Sequence, residues 1–178
     1  MKPNARLLAL SARRRKVGYA VFEGRRHLLD WGVRKWTPAR GVLGGIDALI
    51  RFHAPASVVV RFAASKCESM TRVEVMNRLL QRQCAFWNIA FRRLPLSLLE
   101  RHFAQYSCRT KDDIARLATT WFPELSWNLP RKRAAWSSEA HSVAAFEAVA
   151  TGIAYLAEPI RNHESSGHKP FRRPLTDA

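Results

Sequence analysis

Three short β-rich runs stand almost end to end at the start of this chain: "RLLALS" (residues 6–11), "KVGYAVFEG" (16–24) and "HLLDWGVRKW" (27–36). The links between them leave room for little more than tight turns, so the runs are predicted to form an antiparallel meander. A helical pattern follows in "TPARGVLGGIDALIRFHAP", with Val42, Ile46, Leu49 and Ile50 on one side and Pro55 closing it, although Gly44 and Gly45 weaken it. The next run, "SVVVRF" (57–62), is rich in β-branched residues and reads as a fourth strand. A strand reached through a helix pairs in parallel by a right-handed crossover, and the first strand is its expected neighbour. These residues already restrict the chain to a mixed sheet.

The remaining pattern adds helices. Val73, Met76, Leu79, Leu80, Ala85 and Phe86 give an apolar side to a long helix expected from Met70 to Ile89. "FRRLPL" reads as a short fifth strand, and "PLSLLERHFAQY" and "TKDDIARLATTWF" as two short helices. Thr110 is placed to cap the second, with Asp112 and Asp113 in its first turn. "PELSWNLPRKRAAW" reads as a proline-punctuated loop, and a final helix is expected from about Ser138 to Leu156. Residues 1–158 thus form one α/β domain, a mixed five-stranded sheet with three antiparallel strands, parallel additions and flanking helices. Residues 159–178 are polar, basic and proline-containing, and read as a flexible C-terminal tail.

Charge bears on the partner. With 30 Lys and Arg against 14 Asp and Glu in 178 residues, the formal net charge is +16, which points to a polyanion such as nucleic acid. No stretch approaches the ~20 apolar residues of a membrane span, and no signal-peptide pattern opens the chain. Cys67, Cys84 and Cys108 lack paired spacing, so neither a zinc site nor a disulfide framework is expected; a cytoplasmic protein fits best. Walker, dinucleotide-fingerprint and nucleophile-elbow motifs are all missing.

Ser11 closes the first strand, and seven residues later Gly18-Tyr19-Ala20-Val21 opens the second. In the last helix stands Phe146-Glu147-Ala148. In this frame, and in the element order, residues 6–157 resemble the RuvC-like branch of the ribonuclease H-like superfamily, the Holliday-junction resolvases and their relatives. That resemblance implies a ribonuclease H-like fold. It also implies a nuclease site in which carboxylates on the first strand, the fourth strand and the last helix hold two divalent ions against the scissile phosphate.

The acids are degenerate here. Ser11 stands at the first-strand position, Arg61 at the fourth-strand position, and only Glu147 remains an acid. One turn before it are Val143 and Ala144, neither a ligand. Glu139 lies ~12 Å away along a helix, too far to share an ion with Glu147. His141 reads as a surface histidine, and Glu68 and Glu74 as partners of Lys66, Arg72 or Arg78. No metal or other cofactor is therefore expected, with Mg2+ required only if the site still cuts.

Two compatible roles are open to Arg61: meeting a phosphate where a metal once stood, and pairing with Glu147, with which a ligand could compete. The turn Arg13, Arg14, Arg15, Lys16 borders the same cleft, and Arg131, Lys132 and Arg133 precede the last helix; all are candidate nucleic-acid contacts. Of Trp31, Trp36, Trp87, Trp121, Trp127 and Trp136, only Trp127 and Trp136 are placed to stack on bases. The expected function is a catalytically inactive domain binding structured DNA or RNA through a basic cleft. The alternatives are an active metal-dependent endonuclease with an irregular ligand set, or a structural subunit of a protein–nucleic acid assembly, with a homodimer through the long helix as one form.

Overall fold

The computed structural model describes residues 5–13, 16–35, 41–62, 69–129 and 142–158, with side chains described outside 41–43, 62 and 69–73. Five strands form one sheet: β1 (Arg6–Ala12), β2 (Lys16–Glu23), β3 (His27–Lys35), β4 (Ser57–Phe62) and β5 (Ala90–Pro95). Their order across the sheet is β3-β2-β1-β4-β5. The meander is antiparallel, and Ser11 pairs directly with Gly18. β4 lies parallel to β1, and β5 parallel to β4, as the crossover argument requires.

Helices α1 (Gly41–His53), α2 (Ser69–Phe86), α3 (Leu96–Ala104), α4 (Lys111–Trp121) and α5 (Val143–Ala157) flank the sheet, with a 3-10 helix at Pro123–Asn128. Strand alternation sorts the core into two layers. Leu8, Leu10, Val58 and Val60 pack with Ile46, Leu49, Ile50, Met76 and Leu80, on the side of α1 and α2. Leu7, Ala9, Ala20, Phe22 and Val59 pack with Phe146, Ala148, Val149 and Phe103, on the side of α3 and α5. Burial of Ile46, Leu49 and Ile50 therefore carries α1 despite the adjacent Gly44 and Gly45.

Helix α5 is buried along nearly its whole length. It can lie that close to the sheet because β2 offers no side chain beneath it at Gly18. A Cβ there would land on the backbone carbonyl of Ala144, and one at Gly152 would enter the Phe22 ring. These two close approaches bring the middle of α5 down onto the ends of β1 and β2.

Two boundaries differ from the sequence expectation. α2 stops at Phe86 rather than Ile89, because Asn88 takes a left-handed conformation with φ 53°. The N–H groups of Asn88 and Ile89 then donate back to Ala85 and Cys84, closing the helix in a Schellman arrangement. The segment after α4 is not a plain loop: Pro123 opens the 3-10 helix, which buries Leu125. Thr110 does cap α4, through a reciprocal box with Asp113. The tail at 159–178 and residues 138–141, which the sequence reading assigns to the start of the final helix, lie outside the described residues; α5 is described from Val143. Among the described residues no helix is long and apolar enough to cross a membrane, and Cys84 and Cys108 are free thiols.

Candidate functional site

Ser11 is the last inward-facing residue of β1, two positions beyond Ala9, and Arg61 stands two beyond Val59 on β4. Because Leu10 pairs with Val60, the next residues along the two parallel strands are neighbours at the sheet's end. Both belong to the face that α5 covers, and α5 delivers Glu147 between them. Strand period and helix position thus bring three residues that are distant in sequence to one point.

Glu147 is the centre of the cluster, with 7% of its side chain exposed. The Ser11 hydroxyl, fully buried, donates to Oε2 at 3.1 Å. Arg13 Nε donates to Oε2 at 2.9 Å, and its second nitrogen reaches Oε1, giving a two-pronged grip. Arg61 spans both oxygens, at 3.3 Å to Oε2 and 3.2 Å to Oε1. Lys111 Nζ stands 3.2 Å from Oε1. Three cations therefore surround one carboxylate.

Burial pushes the Glu147 carboxyl up, but Arg61, Arg13 and Lys111 together outweigh it and hold the group below its ordinary value. The carboxylate is ionised at neutral pH, and the cluster of Arg13, Arg61, Lys111 and Glu147 carries a net charge of +2 (three cations less one anion). The cations differ in access. Arg61 and Arg13 show 18% and 23% of their side chains to solvent, whereas Lys111 shows 56%.

A cavity of about 430 Å³ opens beside this cluster, between α3, α4 and α5. Arg61, Lys111 and Glu147 stand on its wall together with Leu96, Leu99 and Phe146.

No protein-family model matches the sequence, and no curated protein matches it. Solved structures do match. The chain is similar to Thermus thermophilus RuvC, solved in complex with a Holliday junction substrate, at 14% identity and a TM-score of 0.61, covering 85% of this chain and 92% of that one. A second Thermus thermophilus RuvC structure matches at 15% identity and a TM-score of 0.60, over 84% and 92% of the two chains. The fold is RuvC-like.

In a RuvC-like nuclease the end of this sheet would gather carboxylates around divalent ions, as the sequence resemblance implies. The described residues do not fit such ions. Divalent magnesium wants several hard oxygen donors, and among the described residues the one carboxylate between Ser11 and Arg61 has both oxygens engaged by cations. Among the described residues no three His, Cys, Asp or Glu side chains stand together as a metal group. The arrangement is suited to attract an anion, since three positive groups share one negative partner.

The structure unites four of the sequence candidates: Ser11, Arg13, Arg61 and Glu147. Of the two readings of Arg61, the pair with Glu147 is the one seen. Lys16 opens β2 across the turn, where its carbonyl accepts the Arg13 N–H at 2.8 Å, and no bond from its side chain to the cluster is seen among the described residues. Arg14, Arg15, Arg131, Lys132, Arg133, Trp36, Trp136, Glu68, Glu139 and His141 lie outside the described residues. Glu74 pairs with Arg78 along α2, and Trp127 is largely exposed.

Lys111 is the residue that sequence reasoning misses. Its signal was electrostatic: a lysine in the first turn of a helix opposes the helix dipole and needs a local reason. Asp112 and Asp113 supply part of it, and Glu147 supplies the rest.

Proposed function

We propose that this protein binds structured, branched nucleic acid at the Arg13–Arg61–Lys111 cluster and does not cut it. The observation that carries the proposal is the convergence of Arg13, Arg61 and Lys111 on Glu147 at the end of β1 and β4, the end at which the sequence resemblance implies metal-binding acids. A phosphate oxygen is bound by such donors much as it is by a metal, but Glu147, with both oxygens held by cations, is not free to activate a water. The overall charge of +16 and the Holliday junction held by the structurally similar RuvC support the same class of partner. In this proposal Arg14, Arg15, Lys16, Arg131, Lys132 and Arg133 extend the contact to neighbouring phosphates. We place the domain at 1–158, with 159–178 as a basic tail, and the protein in the cytoplasm.

The test is a mobility-shift and cleavage assay of the purified chain, using a four-way junction and a linear duplex, as DNA and as RNA, with Mg2+ or Mn2+. The expected result is salt-sensitive binding of the junction with no new strand ends. Metal-dependent cleavage that disappears in Glu147→Ala would replace the proposal with the nuclease reading. Failure to bind any of the four would leave the structural-subunit reading.

One observation favours self-association in addition. Val75, Leu79 and Phe86 recur at helical spacing on the outward side of α2, with Trp87 beside them and Phe52 exposed on α1. We read this stripe as a homodimer contact. Light scattering should give twice the chain mass for the wild-type protein, and one chain mass for Leu79→Asp/Phe86→Asp.

A further inference from the structure

We propose that the cavity beside Glu147 receives one unpaired nucleobase, so that the protein prefers nucleic acid carrying an unpaired or extruded nucleotide. This inference rests on the nucleic-acid reading above and gives its site a second half. The cavity has a volume of about 430 Å³, within the roughly 300–1,000 Å³ range of small-ligand pockets. Its lining divides by chemistry. Leu96, Leu99, Ile114 and Phe146 are apolar, and only Leu99 and Phe146 among them are fully buried. Arg61 and Lys111, on the same lining, are two of the three cations that hold Glu147.

A groove that took only phosphates would be polar throughout, and one built for an apolar side chain would have no use for cations on its wall. A nucleotide asks for both: an apolar slot for the flat base, and positive charge across the sugar from it for its phosphate. Glu100, Arg109, Thr110 and Asp112, also on the lining, add donors and acceptors for a base edge. Within a duplex the base is stacked and paired, and cannot enter. Extrusion costs least where the nucleotide is already unpaired, which is the source of the preference.

The experiment uses the full chain and short duplexes, in DNA and RNA, either fully paired or carrying a single bulged 2-aminopurine. Affinity is read by anisotropy, and base environment by 2-aminopurine fluorescence. The bulged duplex should bind about fivefold tighter or more than the paired one, with a fluorescence change on binding. Leu96→Trp, which fills the cavity from a half-buried wall position, should remove both effects, with the melting temperature checking that the fold is kept. Should that variant unfold, Ile114→Phe, on α4, replaces it. Equal affinity for the two duplexes with unchanged fluorescence overturns the inference and leaves the binding proposal standing. A preference that persists with the cavity filled also overturns it, because the base then sits elsewhere. If neither duplex nor four-way junction binds, the nucleic-acid reading fails, and this inference with it.

Discussion

Glu147 is a carboxylate kept charged against its own burial, and that makes it a measurable contributor to stability. Its folded value lies below the ordinary value because three cations face it. A depressed acid stabilises the fold above its unfolded value and loses that contribution as pH falls through the folded one. Replacing it by Gln leaves Arg13 and Arg61 partly buried without their counter-charge. Breaking a fully buried pair costs about 3–5 kcal/mol; with solvent reaching the arginines and Lys111, about 2–3 kcal/mol is expected here. Urea denaturation of wild type and Glu147→Gln should show that gap near neutral pH, narrowing once pH drops below about 4. A gap that is the same at both ends would mean that shape rather than charge holds the cluster. Ser11, Arg61 and Glu147 were legible as a group in the sequence, since strand period and helix frame fix where they meet. The direction of Arg13 was not: a long side chain at a strand end folds inward or outward according to a partner in a helix far along the chain. Lys111 was illegible for a related reason, as its position depends on how α4 docks on α5.

At the scale of elements, the closeness of α5 to the sheet positions the whole cluster. Gly18 and Gly152 permit it in different ways. Opposite Gly18 stands backbone, the carbonyl of Ala144, which can retreat only if α5 lifts as a unit. Opposite Gly152 stands the side chain of Phe22, which has some freedom to turn even though it is fully buried. Gly18→Ala should therefore destabilise by about 3 kcal/mol or more, and Gly152→Ala by about 1–3 kcal/mol. Thermal melts rank the two; near-native melting of Gly18→Ala would show that α5 rides higher than described. Much of this layer was readable beforehand. The continuous apolar run in residues 6–11 and the β-branched run in 57–62 identify buried strands, and short links force the meander. Helix ends were less so, because periodicity continues past Phe86 while a single left-handed residue, Asn88, ends the helix. The 3-10 turn at Pro123 was hidden in a stretch whose prolines resemble loop punctuation.

For the molecule as a whole, the question is how a net charge of +16 becomes a directed contact rather than a general attraction. Charges spread over the surface bind any polyanion weakly, and every salt ion competes with them. The Glu147 cluster differs because its charges are held in place and partly masked. In the free protein the carboxylate occupies the donors that a phosphate would use, so a ligand must share Arg13, Arg61 and Lys111 with it. Removing the negative charge should then strengthen binding, the reverse of what losing a catalytic acid does. Counterion release gives the size of the effect. Log affinity for duplex DNA falls with log salt by about 0.9 per phosphate neutralised, so raising the cluster from +2 to +3 should steepen the slope by about 0.9. Arg61→Ala in the wild-type background should flatten it by a similar amount and weaken binding by about 1–3 kcal/mol. The measurement is anisotropy titration of wild type, Glu147→Gln and Arg61→Ala across a salt series, at a temperature where all three remain folded. Weaker binding by a folded Glu147→Gln would sink the idea, since the carboxylate would then be organising the cations for the ligand rather than competing for them.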